Sequence, residues 1–118
     1  MKQVLNITKA LADENRLRAL MMLRGGEMCV CRIIEMLNLA PSTVSKHMSI
    51  LKQADLVETR RAGKWTYYRL TDAGANSAAG GMIVWLCRQL KNDPKIRRDA
   101  IRLKAIAAKT VPSSSCCP

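Results

Sequence analysis

Residues 29–53, CVCRIIEMLNLAPSTVSKHMSILKQ, decide the fold. Val30, Ile33, Ile34 and Leu37 recur at the i, i+3, i+4, i+7 spacing of one buried helix face. Asn38-Leu39-Ala40 makes a tight turn, and Pro41 suits the first position of the next helix. Ala40 is a weak N-cap for it. That helix runs to about Gln53, with Val44, Met48 and Leu51 facing inward. Ser42, Ser45, Lys46 and Ser49 share the opposite face. A helix, a short turn, and a second helix whose apolar stripe backs a small, polar, basic one are what major-groove reading needs.

Upstream, residues 3–12 predict a short helix through Val4, Ile7 and Leu11. Asp13 caps a second, with Leu17, Leu20 and Met21 as its buried stripe and Gly25-Gly26 as its end. The third helix starts near Cys29. Downstream, Leu56–Ala62 and Lys64–Leu70 alternate and predict two strands joined at Ala62-Gly63. Arg60, Arg61 and Lys64 stand near the tip. Trp65 and Tyr67 share one strand face and Tyr68 takes the other, so at least one face packs. Thr71–Gly74 reads as a loop. Helical spacing returns from Met82, through Ile83, Leu86 and Leu90; Asp93-Pro94 breaks it and starts a last helix to about Ala108. The expectation is a mainly α fold with a small β-hairpin (α+β), in the order of a winged helix-turn-helix. Residues 1–108 form the domain, and 109–118 read as a flexible tail carrying Cys116 and Cys117.

Composition agrees. The 118 residues favour one domain, and with no Phe the core must be Leu, Ile, Val, Met and Ala. A domain of this size gains from a dimer interface. Lys plus Arg number 20 against 9 Asp plus Glu, a net charge of +11 that points to nucleic acid, the alternative being a merely basic surface. No apolar run reaches the roughly 18–20 residues that span a bilayer, and no signal-peptide pattern opens the chain. A cytoplasmic protein with reduced cysteines is expected. C-x-C is not C-x-x-C, there is no βαβ pattern, and the lone His47 lies in the recognition helix, so neither an enzyme nor a catalytic cofactor is expected.

Cys29-Val30-Cys31 is the candidate sensor. Soft ions such as As(III) and Sb(III) prefer thiolates. Residues i and i+2 share a side only in an extended segment; on an intact helix they diverge by about 200°. Chelation must therefore hold, or force, this stretch out of helical form. A helix N-terminus and Arg32 both favour thiolate. The alternative is that the two cysteines are small apolar residues packed at a helix start.

Several segments resemble the ArsR/SmtB family of metal-responsive repressors. Ala10-Leu11-Ala12-Asp13-Glu14-Asn15-Arg16-Leu17-Arg18 resembles its N-terminal signature, and Glu27-Met28-Cys29-Val30-Cys31 its arsenic-sensor motif ELCVC. Ser42-Thr43-Val44-Ser45-Lys46-His47-Met48 resembles the recognition helix, and Gly63-Lys64-Trp65-Thr66-Tyr67-Tyr68-Arg69-Leu70 the wing. Together these cover most of residues 10–70; the part after residue 75 matches only in kind, as dimerising helices. The resemblance implies a homodimeric repressor, with N- and C-terminal dimerisation helices, that leaves double-stranded operator DNA when a metal or metalloid binds.

On this reading Lys46 contacts bases or phosphates, Ser42, Thr43, Ser45 and Ser49 donate to DNA, and Arg60, Arg61 and Lys64 carry the wing. A solvated helix face and idle surface charge are the alternatives. His47 is structural or a partial phosphate contact. The family motif continues with a third cysteine where this chain has Ile34. Cys116 or Cys117 is the leading candidate for the missing sulfur, since the stretch from Lys109 to Cys116 reaches up to roughly 25 Å extended; tails also carry incidental residues. Cys87 is expected to pack. The fifth helix has no His, so the zinc or nickel site of some family members is missing, while cadmium or lead on the thiolates remains open. A thiol redox sensor and a nonspecific architectural DNA binder are the competing functions.

Overall fold

The structure is a computed structural model that describes residues 1–72, 74 and 76–109, the last two by backbone alone. Helices α1 (Lys2–Ala10) and α2 (Glu14–Met22) lead through a 3-10 turn, Leu23–Gly25, to the short strand β1 (Met28–Cys29). Then come α3 (Val30–Leu37), α4 (Pro41–Gln53), β2 (Val57–Ala62), β3 (Trp65–Leu70), α5 (Ala78–Leu90) and α6 (Pro94–Lys109).

The helix boundaries have local causes. The Asp13 carboxylate accepts from the backbone N–H of Asn15 at 2.8 Å and of Arg16 at 3.2 Å, which caps α2. Asn38 ends α3 in the left-handed conformation, φ 55°, which Asn tolerates and which turns the chain into α4. Asp93 accepts from Lys95 and Ile96 N–H and starts α6. Leu20, Ile33, Met36, Val44, Met48, Leu51 and Leu56 are fully buried and pack α2, α3 and α4 around one core.

Four readings change. The sheet has three strands in the order β1-β3-β2, not a hairpin alone. Met28 pairs with Tyr68 and Cys29 with Tyr67, which joins the thiol segment to the wing. Helix α5 starts at Ala78 rather than Met82; Ser77 caps it, its hydroxyl accepting from Gly80 N–H at 2.9 Å. Val4 is exposed while Ile7, one turn on, is buried, because nothing in a single chain covers the first turn of α1. The hairpin register pairs Ala62 with Trp65, so Gly63-Lys64 forms the turn, with Gly63 at φ 63°.

Helix α6 is clamped onto α2 by Arg18 and Asp99. Arg18 Nε donates to Oδ2 at 2.8 Å and Nη2 to Oδ1 at 3.0 Å, and Asp99 is buried. This pair holds the guanidinium more firmly charged than usual. Arg18 and Arg102 also donate to the Met36 carbonyl, which ties α3 to the same joint.

Candidate functional site

The polar stripe of α4 is open. Ser42, Thr43, Ser45, Lys46 and Ser49 are all exposed, and Val44, Met48 and Leu51 anchor the helix from behind. No side chain caps α4 at Ala40, so its first-turn N–H groups have no side-chain acceptor there. A helix N-terminus of this kind favours anions such as phosphate. His47 is structural: its Nδ1 lies 3.0 Å from Arg16 Nη1. A guanidinium only donates, so Nδ1 accepts. Arg16 also donates to the carbonyls of Ala10 and Lys9, which braces α4 against the end of α1.

The wing divides its cations. Arg61 and Lys64 are exposed and have no ion-pair partner among the described residues. Lys64 lies over the Trp65 ring, 5.6 Å from the centroid. Arg69 binds Glu58 at 2.9 Å, and Glu58, held mainly by the Asp72 N–H and then by Arg69, stays below the usual carboxylate range. Arg60 is engaged differently. Its Nε donates to both Glu27 oxygens, at 3.0 and 2.9 Å, and its Nη2 to Oε1 at 2.7 Å. Its guanidinium also covers the Tyr67 ring at 4.5 Å. The hydrogen bond from Arg60 holds the Glu27 carboxyl below its ordinary range. Tyr68 turns to the core, and burial pushes its phenol up.

The two sulfurs converge. Cys29 precedes α3 with extended backbone, φ −67° and ψ 142°, while Cys31 lies in the first turn of the helix. Their Sγ atoms are 3.0 Å apart. The stretch is therefore held out of helical form at Cys29, and convergence requires no unwinding of α3. Two metal–sulfur bonds of about 2.3 Å meeting at near-right angles would separate the sulfurs by roughly 3.3 Å, so the pair fits one soft ion. Cys29 is buried and Cys31 is partly exposed, which leaves entry from the Cys31 side. Among the described residues no third His, Cys, Asp or Glu completes a cluster with them. Ile34 packs against the core, as does Cys87 on α5, which forms no three-residue cluster with the pair. Cys116 and Cys117 lie outside the described residues.

The helices expected from the sequence to dimerise carry an exposed apolar surface on α1 and α5, which contact each other. Val4 and Leu5 on α1 and Val84 and Trp85 on α5 are exposed, Leu5 by 58% and Trp85 by 54%. Large exposed apolar side chains on touching helices make this a candidate association face. No helix among the described residues is long and apolar enough to cross a membrane.

The sequence profile of "Bacterial regulatory protein, arsR family" matches residues 13–59. The chain is similar to the arsenic resistance transcriptional regulator ArsR2 of Pseudomonas putida, 30% identical over 95% of this chain and 96% of that protein. It is 34% identical to the arsenical resistance operon repressor of Escherichia coli, over 79% of this chain and 81% of the other. Among solved structures, HlyU from Vibrio cholerae is 31% identical, with a TM-score of 0.64 over 75% of this chain and 91% of that one. The homodimeric winged helix-turn-helix DNA-binding domain Mb0332 from Mycobacterium bovis is 32% identical, with a TM-score of 0.64 over 76% of this chain and 80% of the other.

Proposed function

Because the chain belongs to the arsR family of bacterial regulatory proteins, and is a transcriptional repressor rather than an enzyme, we propose that it is a homodimer released from its operator by As(III) or Sb(III). The operator belongs to a metalloid-resistance operon, and the inducer binds Cys29 and Cys31. The observation that carries this is the convergence of the two sulfurs at 3.0 Å, at the joint between β1 and α3. Soft trivalent ions take thiolates, and the two sulfurs are already brought together. Cys29 lies in the sheet and Cys31 in α3, so capture acts on the wing strand and on the helix that supports α4. The relatives named as arsenic-resistance regulators support the same reading.

DNA meets the exposed face of α4 through Ser42, Thr43, Ser45, Lys46 and Ser49, with Arg61 and Lys64 on the wing. Phosphate contacts release counterions, so affinity falls with salt at a slope of about −0.9 per contact. Lys46→Ala is expected to weaken binding by about tenfold or more and to flatten that slope by about one contact if Lys46 binds phosphate. Fluorescence anisotropy on operator DNA across salt concentrations checks both. A flat salt profile removes the DNA reading.

The third sulfur is drawn from Cys116 or Cys117. X-ray absorption on the arsenite-loaded chain is expected to count three sulfurs, falling to two when the chain stops before Ser113. An unchanged count excludes the tail. A thiol redox sensor is the second reading, favoured by the same sulfur proximity. Mild peroxide would then release the DNA without arsenite, with a mass change confined to the Cys29–Cys31 peptide.

A further inference from the structure

Arg60, by charge and place a wing contact, has its donors turned to the sensor strand. Cross-strand register puts Cys29, Tyr67 and Arg60 in one row, because Cys29 pairs with Tyr67 and Tyr67 with Arg60. Residues in one row share a sheet face, and Glu27, two residues before Cys29, falls on that side. The guanidinium rests on Tyr67 at 4.5 Å and meets Glu27 in three contacts of 2.7–3.0 Å. A carboxylate and a phosphate compete for the same planar fork of donors. By contrast, Arg61, the next residue, meets no acid among the described residues.

We propose that Glu27 is a latch on the wing: its carboxylate holds Arg60 against the sensor strand and withholds it from DNA phosphate. Glu27 is a positioning residue, acting on DNA through Arg60. Glu27 stands immediately before strand β1, two residues from Cys29, so the thiol site and the wing cation are parts of one device. This deepens the repressor reading and rests on it.

The test uses a labelled nonspecific duplex of about 20 base pairs, where phosphate contacts dominate, and the full-length chain. Glu27→Gln frees Arg60. Expected are a gain in affinity of about threefold to tenfold at 0.1 M salt and a log–log salt slope steeper by about 0.9. Arg60→Gln alone stays within about twofold of wild type, because the donors were already withheld. In the double variant Glu27→Gln/Arg60→Gln the gain disappears. Glu35→Gln, which removes an exposed acid paired with Arg32 on α3, controls for net charge and gains less. The latch is wrong if Glu27→Gln binds no tighter than wild type, gains no more than Glu35→Gln, or keeps its gain without Arg60. A wild-type chain that ignores the duplex even at low salt removes the latch and the DNA reading together.

Discussion

Cys29→Ser stays on its operator at arsenite concentrations that strip the wild-type chain. The half-release concentration is expected to rise by at least about 100-fold, the upper range of allosteric coupling, and Cys31→Ser should behave alike. Serine keeps the size of cysteine, and Cys29 is buried beside the sheet, so the fold and the DNA surface survive the change. What is lost is the soft donor, and a chelate that loses one of two paired sulfurs loses its grip. Cys87→Ser is the control: this cysteine packs on α5, forms no three-residue cluster with the pair and should leave the response unchanged. Anisotropy titrations with arsenite read all three variants. A normal response in either Cys29→Ser or Cys31→Ser would falsify the assignment of the pair as the sensor.

Trp85→Glu should be the most damaging surface change for DNA binding. In the proposed homodimer the exposed apolar side chains on α1 and α5 would meet a second copy of the chain, and around a two-fold axis each new charge appears twice. Burying it without a partner is unfavourable. Sedimentation velocity is expected to show a monomer where the wild type is a dimer. Operator affinity should fall by about 100-fold or more, because two half-sites are no longer bound by one linked unit. More than half of the Trp85 surface is exposed, so helix content by circular dichroism should persist. A dimeric Trp85→Glu, or a monomeric wild type, would overturn this face as the interface.

Much of the reading domain was legible because its signals are local. Asp13 caps α2 through its own backbone neighbours, and Pro41 opens α4. Val44, Met48 and Leu51 are buried as their spacing predicts. What escaped depends on partners distant in sequence or on segments too short for a period. β1 has two residues, below the length at which alternation can register. The start of α5 is written in Ala78-Ala79-Gly80-Gly81, which has no apolar row, and its remaining mark was Ser77 as a cap. Glu27 and Arg60 are 33 positions apart, so a tip charge read alone looked free. Arg18 and Asp99 are 81 apart and belong to helices whose contact no local pattern announces. The thiols were placed at the right helix end, but their convergence depends on the extended backbone of Cys29, which a purely helical geometry would deny.

The brevity of β1 has an energetic consequence. Strand pairing at Met28 and Cys29 involves just two register positions. Each backbone hydrogen bond is worth about 0.5–1.5 kcal/mol net, against roughly 5–15 kcal/mol for unfolding a whole domain. Opening this strand is therefore a sub-global event, at the low end of the ladder seen by amide exchange. Of the two forms, β1 paired and β1 open, the open one would be the minor one. An ion that binds the two conformers unequally needs to tilt only that shallow local equilibrium. The domain can stay rigid where it reads DNA while one of its ends remains easy to remodel.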